Sequence, residues 1–129
     1  MIAGVYGDAW GSTTGSGFVS GIWATASAAV TDAKLSIIHN SINLYGNNGS
    51  SYAGGYSAGL TFAPNVQGGV TIHGNLIQNT LKASSATDKK ASGVVILTSS
   101  ISPAGFFINY NSYRVASGVA QGQGDFIGA

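Results

Sequence analysis

The sequence predicts an all-β chain of stacked repeats, and three observations point that way. The segments LSIIHNSINLYG from Leu35, VTIHGNLIQNTL from Val70 and FFINYNSYRVAS from Phe106 superpose, each with an Asn at the same place. Those residues, Asn40, Asn75 and Asn111, stand 35 and then 36 residues apart, a period proper to stacked-repeat architectures. Within the segments Leu35 and Ile37, Val70 and Ile72, and Phe106 and Ile108 bracket Ser36, Thr71 and Phe107. Such alternation reads as strand, one set of side chains facing a core. Third, 20 glycines, with Ser, Thr and Asn throughout, break every window long enough for a stable helix. Only the Ala-rich stretch 24–33 has a composition that permits a helical turn.

In chain order, each unit opens with a short apolar strand after a Gly: Gly21-Ile22-Trp23, Gly59-Leu60-Thr61-Phe62 and Gly93-Val94-Val95-Ile96-Leu97. A variable connection follows, then the strand that leads to the Asn. After the Asn comes a second short strand with Ile42, Ile77 and Tyr113 in register. The bend between these two strands calls for positive φ, which Asn tolerates better than other non-Gly residues. Stacked Asn side chains also hydrogen-bond in ladders from coil to coil. Together these features describe a parallel β-helix of three to four rungs, about 35 residues per unit, with rungs pairing at roughly 4.8 Å. Repeat-like segments fall near 17–50, 58–85 and 93–117 of a single domain spanning 1–129. The stretches 46–57, 81–92 and 116–124 are polar or Gly-rich and unlike one another, so they read as projecting loops.

Only 7% of the residues are charged, against about a quarter in ordinary soluble domains. Glu is absent and the formal net charge is +1, which gives no electrostatic reason for a nucleic-acid or anionic-membrane partner. Without Cys there is neither a disulfide framework nor a thiolate metal site. No apolar run reaches the roughly 20 residues of a membrane span. MIAGVYGDAWGS lacks a basic region followed by an apolar stretch, so no signal peptide is read in this chain. Low charge with abundant Ser, Thr, Asn and Gly is typical of extracellular β-rich proteins.

The ordered run IIHNSINLYG, SAGLTF, VTIHGNLIQNT, SGVVIL and FFINYNSYRV, then a Gly-rich tail, covers around 100 residues. It resembles the β-helix repeat modules of large secreted and cell-surface proteins from Bacteroidetes and related bacteria. The resemblance implies a right-handed parallel β-helix, export (often by a type IX pathway) and roles in adhesion or surface structure. It supplies no catalytic residue. The chain departs from such modules in being short, since they usually sit within far longer polypeptides.

Catalytic patterns are wanting. Lyases and glycosidases of the β-helix class need clustered acids, whereas Asp8, Asp32, Asp88 and Asp125 are scattered and read as turn or cap residues. His39 precedes Asn40 directly and His73 lies two before Asn75, so in register His39 stacks on Gly74 and His73 on Ile38. Alternation then predicts that the imidazoles face opposite ways and share no metal. No phosphate-loop or repeated calcium motif is present, and no cofactor is expected. Tyr45, Tyr52 and Tyr56 surround the first loop and are the candidate ligand residues. Such rings either cover loop bases or stack on sugar rings or a partner.

A rung satisfies its backbone only by pairing above and below, so open terminal rungs template another chain. Neither MIAGVYGDAW nor GDFIGA reads as a polar cap, and Ile2, Val5, Tyr6, Trp10, Phe126 and Ile127 are the candidate assembly residues. The sequence therefore predicts a non-catalytic extracellular structural protein that associates with itself end to end into filaments or a surface layer. The alternative is a carbohydrate-binding or adhesion module acting through the loop tyrosines.

Overall fold

A computed structural model describes residues 2–3, 18–45, 56–80, 90–98 and 100–115. Every described regular element is a β-strand: β1 (Ile2–Ala3), β2 (Phe18–Ala24), β3 (Leu35–Ile38), β4 (Ser41–Leu44), β5 (Tyr56–Phe62), β6 (Val70–His73), β7 (Leu76–Asn79), β8 (Lys90–Ile96), β9 (Phe106–Asn109) and β10 (Ser112–Val115). They form three sheets, ordered β1-β4-β7-β10, β2-β5-β8 and β3-β6-β9, and every strand pair is parallel. Successive strands of one coil go to different sheets, and the next coil repeats the order.

The sequence period reappears as register. Leu35, Val70 and Phe106 align across β3-β6-β9, as do Ile37, Ile72 and Ile108, while Ile42, Ile77 and Tyr113 align across β4-β7-β10. Inward side chains of all three sheets meet in one apolar cluster that includes Val19, Leu60, Phe62, Ile72, Ile77 and Val94. Each fully buried Val, Leu, Ile or Phe contributes about 1.5–3 kcal/mol relative to exposure. Among the described residues the cluster holds the sheets together with little help from ion pairs. Lys34 and Asp32 approach to 3.9 Å, but both are exposed, and such pairs add little.

The glycines of the β2-β5-β8 sheet have a packing reason. The strand does not begin after them, as the sequence reading had it: Gly21, Gly59 and Gly93 lie inside β2, β5 and β8. A Cβ on Gly21 would meet Ile42, on Gly59 would meet Ile77, and on Gly93 would meet the Tyr113 ring at 2.5 Å. These three glycines let a bulky side chain of the neighbouring sheet lie against bare backbone.

No helical turn forms in 24–33. Val30 bridges Val66 instead, and its N–H donates to the Asn65 carbonyl at 2.8 Å. Lateral bonds to the next coil take the groups a helix would have used. Of the expected loops, residues 46–55, 81–89 and 116–124 lie outside the described residues.

Candidate functional site

The most organised polar feature is the corner where β3, β6 and β9 turn into β4, β7 and β10. Positive φ occurs there, but one residue earlier than expected: at His39 (55°), Gly74 (63°) and Tyr110 (53°), and not at the Asn. A second such set, Lys34 (49°), Gly69 (70°) and Gly105 (54°), precedes the same strands at their other end. The Asn has a different task. At the bend its backbone N–H finds no carbonyl of the next coil, and the next coil's Asn side chain supplies the acceptor.

The ladder is regular. The Asn40 N–H and Nδ2 donate to Asn75 Oδ1 at 2.9 and 3.1 Å. The Asn75 N–H and Nδ2 donate to Asn111 Oδ1 at 2.9 and 2.8 Å. Each amide also reaches back: Asn75 Nδ2 donates to the Ile37 carbonyl at 2.8 Å, and Asn111 Nδ2 to the Ile72 carbonyl at 2.9 Å. Beyond the bend, Leu76 and Ser112 donate to the Asn40 and Asn75 carbonyls, both at 2.8 Å. Asn75 is 2% exposed, so its bonds operate away from solvent. The ladder has a direction. Among the described residues Asn40 Oδ1 accepts from no donor, and the Asn111 N–H meets no acceptor.

The two ends of the stack differ in shape. At the first coil an open apolar concavity of about 490 Å³ is lined by residues including Ile22, Ala24, Ala33, Leu35 and Ile37, with Val66 behind them. It exists because Ala24 stands where Phe62 fills the second coil. At the third coil Ile96, Phe106, Ile108 and Tyr113 pack on the core but stay partly exposed, with Phe106 edge-on to Phe62 at 5.3 Å. Burial raises the Tyr113 phenol above its ordinary value, while the Asn111 side chain pulls it the other way.

The histidines depart from expectation. The register is as read, with Ile38 beside His73 and the His39 ring over Gly74. Yet the two rings come together, centroids 5.8 Å apart and planes at 64°. Alternation fails for His39 because its positive φ takes the side chain out of the strand's pleat. Tyr110, at the equivalent corner of the third coil, packs edge-on to His73 at 5.3 Å. No sequence signal other than the corner conformation could have shown this column.

Of the other candidates, Tyr45 is exposed just past β4. Tyr56 opens β5 but its side chain lies outside the described residues, as does Tyr52 entirely. Ile2 pairs with Ile42 through its backbone, while Val5, Tyr6, Trp10, Phe126 and Ile127 lie outside the described residues. No group of three or more His, Cys, Asp or Glu converges among the described residues, and no helix there is long and apolar enough to cross a membrane.

These features define the chain as an all-β repeat protein of parallel sheets with an asparagine ladder at one corner. No family model, no curated protein and no solved structure matches it.

Proposed function

We propose that this chain is a non-catalytic extracellular structural protein, a right-handed parallel β-helix that stacks end to end with further copies into filaments or a surface layer. Right-handedness is the near-universal sense of parallel crossover connections. The observation that carries the reading is the polarity of the asparagine ladder. A preceding copy's Asn111 N–H, which meets no acceptor among the described residues, would donate to Asn40 Oδ1, repeating the bond that the Asn75 N–H makes to Asn111. Its partly exposed Phe106 and Ile108 then face the concavity beside Leu35 and Ile37. The contact is heterologous and does not close, the condition for a filament.

One strand stands in the way. β1 pairs with β4 on the edge that the preceding copy's β10 would occupy. Among the described residues it contributes two register positions, whereas β10 forms four with β7. End-to-end stacking therefore requires the preceding copy's β10 to displace β1 from this edge.

Electron microscopy with sedimentation across a dilution series tests this. Wild-type protein is expected to give unbranched fibres, and Ile108→Lys a folded monomer, because a charge is then placed inside the junction. Monomer-sized particles from the wild type at every concentration overturn the reading.

A further inference from the structure

We infer that His39 and His73 form a binding site for one divalent transition-metal ion, Cu²⁺ foremost. The site lies on the outer corner of the stack, beside the asparagine ladder.

Four observations carry it. The two imidazoles come from adjacent coils with ring centroids 5.8 Å apart. Metal–nitrogen bonds of about 2.0–2.1 Å place the centroids of two rings on one ion roughly 4.5–5.2 Å apart. The rings therefore have to close from their edge-on contact, and His39, which is exposed, is the side chain that rotates to do so. Second, the corner conformation holds the approach: His39 sits at φ 55°, a region in which His is enriched among non-Gly residues. Third, Gly74 leaves the room. A Cβ there would lie 3.2 Å from both Nδ1 and Cε1 of His39, so any larger residue would crowd that ring, and the positive φ of 63° at this position adds strain to any such substitution. Fourth, Tyr110 packs on His73 with centroids at 5.3 Å and limits its rotation, which makes it a positioning residue.

The donor set selects the metal class. Two imidazoles without thiolate or carboxylate suit Cu²⁺, Ni²⁺ and Zn²⁺, and the affinity order places Cu²⁺ first. Water completes the coordination. No redox or transfer step is implied.

Calorimetric titration of the full chain with Cu²⁺, followed by electron paramagnetic resonance, is the test. One ion per chain with two nitrogen donors is expected. His39→Asn keeps a residue that tolerates positive φ, so the fold is retained, and circular dichroism checks this. Loss of an outer-shell partner already lowers metal affinity about 10–100-fold, and loss of a ligand is expected to cost at least as much. His73→Gln should behave alike, and each variant should lose one nitrogen from the spectrum. An ion whose affinity and nitrogen count are unchanged in either variant sits elsewhere and overturns the assignment. Absence of binding to the wild type does the same.

Discussion

The second and third coils are built to one pattern and end up in different environments. Val70, Ile72, Ile77 and Asn79 of the second coil are each 0% exposed. Their register partners Phe106, Ile108, Tyr113 and Val115 are only partly buried. Residue type does not explain this, since Ile72 and Ile108 are the same residue in the same column. A coil is buried when it has neighbours on both sides. Position in the stack, not side-chain chemistry, decides how much each apolar group contributes.

That contrast can be tested directly. Ile72→Ala should lose about 2–5 kcal/mol by deleting fully buried atoms. Ile108→Ala should lose clearly less in dilute monomer. Urea denaturation of both reads the difference, and equal losses would break the comparison. If copies stack end to end as proposed, the Ile108→Ala loss should rise with concentration towards that of Ile72→Ala. Next in size is the ladder. Asn75→Ala deprives the Asn40 N–H of its acceptor and leaves the Ile37 carbonyl without its side-chain donor. Each buried group left unpaired costs about 1–3 kcal/mol. Asn40→Ala, at the end of the ladder where Oδ1 accepts from no described donor, should cost less by the same denaturation experiment.

The smallest effect concerns Tyr113. Its phenol is raised above the ordinary value by burial, so the folded state favours the protonated form. The resulting stabilisation is complete below the unfolded value, about pH 10, and is lost as pH rises through the folded one. Wild type should therefore lose more stability than Tyr113→Phe between about pH 8 and about pH 11. Parallel pH profiles for the two would remove burial of the phenol from the account.

Much of the architecture was legible because stacking writes the same hydrogen-bond pattern into the sequence at each turn. The 35- and 36-residue spacing of Asn40, Asn75 and Asn111 is the spacing of their amide bonds. The strand alternation around Ile37, Ile72 and Ile108 is likewise the register of one sheet. What stayed hidden depends on single backbone angles and on volumes. Positive φ at His39 undoes the alternation rule and brings its ring to His73. The glycines at 21, 59 and 93 read as strand starts because sequence shows no trace of the opposing Ile42, Ile77 and Tyr113. The concavity at the first coil arises from the Ala24 and Phe62 pairing, legible only once register is known.

β1 and β10 lie on opposite edges of the four-stranded sheet. Tension applied through those two strands therefore runs across the strands, along the hydrogen bonds that join coil to coil. Bonds loaded in this direction part in sequence, one coil at a time, rather than shearing together. Each release frees about 35 residues, or roughly 120 Å of extended chain. A stretched molecule yields in steps, and its extension is metered by the same repeat that sets its sequence.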